Sequence, residues 1–296
     1  MQATASVGGV PHGMGLNTAG WMALWQGELG IAEERIALAV QLAEQTDFEL
    51  GISMGHFSYG VSLINRGRDR EAYSHLVQAA EMFDEVNKGW EKVNTLIHLA
   101  NASLGLGETQ QAETWLRQAQ PLAESIGDPW QIAFCHNNFG EVARAQGDYE
   151  RAREDYERAE ALYRAADALG DHARLIHTLG YMALHDGDAA RAESLFHDSL
   201  AAFRKLGNKR GMAECLGGLA AVASARGDAG WGAPLLAAAD AQIAASGAAW
   251  WPADRVEVER TRRHLRQALG DEAFEAAWER GRGMGLDGAI AYATAG

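Results

Sequence analysis

A forty-residue period runs through almost the whole chain. The segment Gly147-Asp148-Tyr149-Glu150-Arg151-Ala152 has counterparts at that offset in Gly27-Glu28 with Ala32, Gly67-Arg68 with Ala72, Gly107-Glu108 with Ala112, Gly187-Asp188 with Ala192, and Gly227-Asp228 with Gly232. A second set of turn residues, Asp47, Asn87, Gly127, Asp167, Gly207 and Gly247, keeps the same spacing. Each unit therefore holds two segments and two turns. Self-similarity at such a period predicts a solenoid, in which no unit buries its apolar face alone and neighbours cover one another.

Both segments of a unit carry the three-and-four spacing of an amphipathic helix. In the first segment the stripe reads His136, Phe139, Gly140 and Ala143, or Ile176, Leu179, Gly180 and Ala183; in the second it reads Ala152, Tyr156, Ala159 and Tyr163, or Ala72, Leu76, Ala79 and Phe83. Each unit is thus a helical hairpin. The column Gly20, Gly60, Ala100, Gly140, Gly180 and Ala220 contains only small residues. Glycine inside a helix costs about 1 kcal/mol relative to alanine, so glycines held there imply a close approach by the partner helix. The residues after the turn glycines, Glu28, Glu108, Asp148, Asp188 and Asp228, are expected to accept from the free amides of the second helix. Arg68 breaks this series and should leave its turn the least well capped.

Because an array grows by stacking, 296 residues count units rather than domains, and one continuous domain is expected. A formal charge of −14 argues against a surface that follows a phosphate backbone, so no direct nucleic-acid partner is expected. Cys135 and Cys215 fall at one position in units two apart, too far to bridge, and read as buried thiols in a reducing cytoplasm. The first residues lack a basic start followed by an apolar run, and no stretch is long enough to span a bilayer. Histidines are not spaced for a metal: His172 and His177 do not share a helix face, and no His-Glu-x-x-His occurs. With no nucleophile elbow either, neither enzyme, metal nor cofactor is expected.

The order Gly140, Ala152, Tyr156, Ala159 resembles the tetratricopeptide repeat. Two departures are visible: the units run to forty residues rather than about 34, and the closing proline is replaced by Glu44, Asp84, Glu124 or Arg164. In both respects the chain is similar to the helical-repeat regions of MalT-like, LuxR-type and AfsR-like bacterial transcriptional regulators of the predicted ATPase family. Trp251-Pro252-Ala253-Asp254-Arg255, the segment Leu269 to Gly281 and the closing Leu286-Asp287-Gly288-Ala289-Ile290-Ala291-Tyr292-Ala293 carry the same likeness. The resemblance implies an all-α, right-handed superhelix of six hairpins over 13–252, a capping region over 253–296 and a flexible tail over 1–12. It also implies that the repeats restrain or release a nucleotide-binding domain. No Gly-x-x-x-x-Gly-Lys-Ser/Thr loop and no basic recognition helix is present, so ATP and DNA binding cannot be placed on any residue here.

In such a superhelix the first helix of each hairpin lines the groove. The columns facing inward are then polar in the middle of the chain, with Asn101, Phe134, Asn137, Glu141, Arg144, Arg174, His177 and Tyr181. Toward the N-terminus they are apolar, with Met14, Trp21, Met54 and Phe57. The polar set reads either as a solvated inner wall or as a site where asparagines grip the backbone of an extended peptide, or a small effector, while Arg174 pairs with an acid. The apolar set reads as packing between units or as a docking surface for another domain. A non-enzymatic interaction or effector-sensing module follows, with a free-standing adaptor that needs no small ligand as the alternative. Trp90, Trp130 and Trp250, each just after a turn, read as wedges between hairpins; Trp251 has no counterpart in earlier units.

Overall fold

A computed structural model describes residues 3–295, with side chains described from residue 9 onward. Among the described residues the fold is all-α. Twelve helices form the repeats: α1 (Ala3–Gln26), α2 (Leu29–Gln45), α3 (Glu49–Asn65), α4 (Asp69–Glu85), α5 (Gly89–Gly105), α6 (Thr109–Ile126), α7 (Pro129–Gln146), α8 (Tyr149–Ala165), α9 (Leu169–His185), α10 (Ala189–Leu206), α11 (Lys209–Arg226) and α12 (Ala229–Ala245). A 3₁₀ turn (Pro252–Asp254) then leads into α13 (Arg255–Leu269), α14 (Asp271–Arg282) and α15 (Leu286–Ala295). None of the described helices is long and apolar enough to cross a membrane.

The chain divides into two compact units, residues 1–162 and 163–296. In the first, α1 packs on α2, α3 on α4 and α5 on α6, while α1, α3, α5 and α7 contact one another in order to make a first-helix layer. In the second, α9 pairs with α10 and α11 with α12, and α9 meets α11.

The two turn series share one backbone solution. Every turn glycine from Gly27 to Gly247 has φ between 68° and 81°, and Asp47, Asn87 and Asp167 take the same left-handed region at 48° to 53°. That region admits glycine freely and aspartate or asparagine at modest cost, which explains why only these three types occupy it.

The small column behaves as its composition predicts. A Cβ on Gly140 would stand 2.4 Å from the Tyr156 ring, and on Gly180 2.8 Å from the Phe196 ring. Gly20 and Gly60 meet Ile36 and Leu76 in the same way. Helix pairs thus touch where one side chain is missing and the other, sixteen residues on, is large.

Two expectations are corrected. The segment 1–12, expected as a flexible tail, is helical from Ala3 onward, as the first turns of α1; residues 1 and 2 lie outside the described residues. Capping is also less uniform than the charges suggest. Asp148, Asp188 and Asp228 accept from the amides of Arg151, Arg191 and Trp231 at 3.2, 2.9 and 3.2 Å, whereas Glu28 and Glu108 form no cap, like Arg68. The extra methylene of glutamate moves its oxygens past the amides that aspartate reaches.

At the C-terminal end α14 packs mainly on α12. Gly281 approaches so closely that a Cβ there would lie 2.0 Å from the Pro234 carbonyl oxygen. The outer side is salt-bridged: Arg266 pairs with Asp271 and Glu275 at 3.1 and 2.5 Å and lies over the Phe274 ring. That is the polar exterior a terminal repeat needs.

Candidate functional site

In the first unit the first-helix layer carries a continuous track of rings. Trp21 on α1 stacks on Phe57 of α3 at 5.5 Å between centroids; Phe57 meets His98 of α5 edge-on at 5.5 Å; and His98 meets Phe134 of α7 at 5.5 Å. Phe134 stacks on Trp130 at 5.3 Å, and Trp130 on Trp90 at 6.0 Å. Each contact links neighbouring repeats or neighbouring turns of one helix, since the ring columns lie about one repeat apart. Trp21, His98, Phe134 and Trp130 are part-exposed, and Trp90 is 44% exposed. Desolvation in these aromatic surroundings pushes the His98 pKa down to about 4, so the imidazole is neutral at pH 7.

Trp21 and Trp90 are also fixed by polar bonds. Trp21 Nε1 donates to Ser58 Oγ, which donates to Asn17 Oδ1, both at 2.8 Å; Trp90 Nε1 donates to Asp128 at 2.8 Å. Gln131 Nε2 donates to the Trp90 carbonyl at 2.7 Å and to Asn94 Oδ1 at 3.2 Å. These bonds set the rings in place without covering them.

Met14 and Met54 lie beside this track in the wall of a cavity of about 190 Å³ between α1, α2 and α3. Gly9, Gly13 and Gly51 are among its lining, and Glu91 of α5 is the one charged residue there.

The polar residues of the middle columns are enclosed rather than solvated. Asn101 is completely buried and Asn137 nearly so; Glu141 and Arg144 are 1% and 4% exposed and form an ion pair at 2.8 Å. They are interior groups between repeats, and a solvated wall is excluded. Both amide atoms of Asn101 and Oδ1 of Asn137 are enclosed with no hydrogen-bond partner among the described residues. Leaving such an atom enclosed and unsatisfied costs about 1–3 kcal/mol.

In the second unit Arg174, His177 and Tyr181 come together, but around acids of the chain itself. Arg174 pairs with Glu214, and its Nη1 lies 3.7 Å from Asp254; Arg210 Nε donates to the other oxygen of Glu214 at 3.1 Å. The Trp251 ring has the Arg174 and Arg210 guanidinium groups over it at 5.3 and 5.6 Å. His177 is 1% exposed and donates from Nε2 to the Glu214 carbonyl at 3.3 Å, with the Tyr181 and Phe196 rings edge-on at 5.2 and 5.3 Å. Burial lowers its pKa against the pull of Asp254, so it too is neutral at pH 7. Two arginines face two carboxylates, and the acid expected from a ligand of Arg174 is supplied internally by Glu214 and Asp254.

Sequence reasoning missed His98, one position beside the column of Phe57 and Asn137, and Gln131, three positions before Phe134. It read Trp90 and Trp130 as wedges between hairpins; they are that, and they also extend the ring track. The cysteines are buried and free, with thiol pKa values pushed up to about 12 by burial, which leaves them inert at neutral pH. Among the described residues no group of three potential metal ligands occurs.

A tetratricopeptide-repeat family model matches residues 91–165. No curated protein matches the sequence. Among solved structures, the chain is similar to a Rap protein complexed with Competence and Sporulation Factor, at a TM-score of 0.72 and 13% identity over 95% of this chain and 75% of that one. It is also similar to the Rap conjugation gene regulator of the plasmid pLS20 in complex with the Phr* peptide, at 0.61 and 15% over 87% and 76%. A signal transduction ATPase with a tetratricopeptide repeat sensor from Pyrococcus horikoshii aligns at 0.57 and 14%, over 90% of this chain and 37% of that one. At these identities the likeness is one of fold: the chain is built from tetratricopeptide-like helical hairpins.

Proposed function

We propose that this chain is a non-enzymatic interaction module that holds an extended protein segment along the first-helix layer of its first unit. The observation that carries the reading is the ring track from Trp21 to Trp90, part-exposed and held in position by hydrogen bonds to the rings and to the backbone beside them. A row of fixed aromatic faces offers contact area at little entropic cost and suits apolar or aromatic side chains of a partner. Asn101 and Asn137 lie in the same layer, the Asn101 carboxamide and Asn137 Oδ1 without a partner among the described residues, groups of the kind that bond a peptide backbone. The Rap regulator solved with its Phr* peptide supports a segment as the class of ligand.

The C-terminal segment's likeness to regulators of the MalT-like and LuxR-type classes, together with the repeat sensor of the Pyrococcus ATPase, supports a finer reading. In that reading the module senses for a transcriptional regulator, and its partner is a nucleotide-binding domain. A free-standing adaptor uses the same ring track and differs only in needing no second domain of its own.

Panning a random peptide display library on the immobilised chain, in parallel with Phe134→Arg, tests the common core. Enriched peptides should be rich in aromatic or branched apolar residues and should lose binding to the variant. Enrichment that ignores Phe134→Arg, with the variant folded by circular dichroism, removes the ring track from the function.

A further inference from the structure

The cavity at the N-terminal end of the first unit is distinct from the ring track and from the buried carboxamides. Its floor is Ala39 and Ala43 of α2 with Phe48 of the following turn; its sides are Val10, Gly13 and Met14 of α1 and Leu50, Gly51 and Met54 of α3. At about 190 Å³ it exceeds the ~150 Å³ apolar cavity that binds benzene in an engineered lysozyme, so one aromatic ring or branched alkyl group fits. Gly13 contributes to the space: a Cβ there would meet nothing closer than 3.5 Å, so α1 could carry a side chain there and does not, whereas Gly51 lets α3 pack closely on Phe48 and Ala43.

The polar groups give the second half of the argument. Asn17 Oδ1 already accepts from Ser58, and the Thr18 hydroxyl donates to the Met14 carbonyl at 3.0 Å. Glu91 is the one charged group in the lining, half-exposed, and among the described residues its side chain forms no ion pair. An apolar chamber with one carboxylate in its wall is complementary to a compact apolar body that carries a cation. It is the wrong chemistry for a fatty acid or any other anionic amphiphile.

We infer that this cavity is a binding site for an aryl or branched-alkyl group joined to an ammonium, the hydrocarbon in the chamber and the ammonium against Glu91. That chemistry has two sources: a free amine, or the first residue of a peptide presenting its own α-ammonium. The site is independent of the ring track, so either can fail without the other.

Ligand-observed saturation-transfer NMR on the full chain, with phenethylamine, 2-phenylethanol and phenylacetate as isosteric probes, tests the inference. Phenethylamine should bind at least about tenfold more tightly than the alcohol, as a charge-assisted hydrogen bond implies, and phenylacetate should not bind. Glu91→Gln should abolish the preference for the amine, and Gly13→Leu should abolish binding of all three. Equal binding of the three probes, no binding of the amine, or a preference that survives in Glu91→Gln overturns the assignment; Glu91 is half-exposed, so its variant folds even if Gly13→Leu does not. Phe-Gly-Gly and N-acetyl-Phe-Gly-Gly separate the sources. Binding of the free tripeptide alone assigns the site to a peptide N-terminus, and binding of phenethylamine without either tripeptide assigns it to a free amine.

Discussion

The first-helix layers of the two units use the same sequence columns to opposite ends. Position 134 in the first unit is a phenylalanine in a run of part-exposed rings; positions 174, 214 and 254 in the second, at the same register, are arginine, glutamate and aspartate bonded to one another. One layer leaves ring faces part-exposed. The other answers each charge from within the chain and covers it with Trp251. The difference teaches that a repeat column is only a place. Whether it receives something depends on whether neighbouring copies complete one another.

The largest effect that tests this contrast lies in the second unit. Glu214→Ala leaves the buried Arg210 and the part-buried Arg174 without their shared acid and should cost about 3–5 kcal/mol in chemical denaturation. Phe134→Ala, the matching change in the first unit, should cost clearly less because its ring is part-exposed. Equal losses would mean that the two layers are not different in kind.

Histidine protonation sharpens the comparison along a pH axis. The pKa of His98 is held at about 4 against an unfolded value of 6.5, and that of His177 is also lowered. A depressed histidine favours its neutral form in the folded state, so its contribution is complete above pH 6.5 and is lost as pH falls toward the folded value. Each such histidine adds a slope of up to about 1.4 kcal/mol per pH unit in that window. Urea titrations at pH 7.5 and 5 should therefore show a smaller acid loss for His98→Gln than for the parent chain; identical losses would remove His98 from the balance.

A smaller effect is expected at the hairpin contact, which both units share. Gly140→Ala drives a methyl into the Tyr156 ring, and overpacking of about 1–3 kcal/mol should outweigh the roughly 1 kcal/mol gained in helix propensity. In the double variant with Tyr156→Leu part of the loss should return, since Ala100 with Leu116 and Ala220 with Leu236 already use that pairing. Additive losses in a double-mutant cycle would argue against the contact. The smallest effect separates the caps: Asp188→Ala should cost about 1 kcal/mol and Glu108→Ala close to nothing, read as thermal shifts.

The hairpins, both turn series and the small column were legible because each rests on a local rule. A left-handed turn admits few residue types, and Gly140 against Tyr156 repeats at a fixed separation. The ring track was legible only in pieces: Trp21, Phe57 and Phe134 stood on the chosen columns, but His98 sits one position aside, where helix rotation rather than spacing decides contact. Asn101, Asn137 and Glu141 stand on first helices, as their columns implied, but how deeply they are enclosed was not legible. A column shows which side of a helix a residue occupies, not how closely the next repeat is pressed against it.

By itself the sequence determined the all-α class, the length of each hairpin and the positions of its turns, because these follow from periodicity and from backbone strain within a few residues. Only the tertiary structure decided that Arg174 is answered by Glu214 and Asp254, that Asn101 is enclosed without a partner among the described residues, and that Gly13 faces a chamber beside Glu91. Those outcomes depend on distances between residues tens of positions apart, and a difference of a few ångströms separates a satisfied charge from an exposed one.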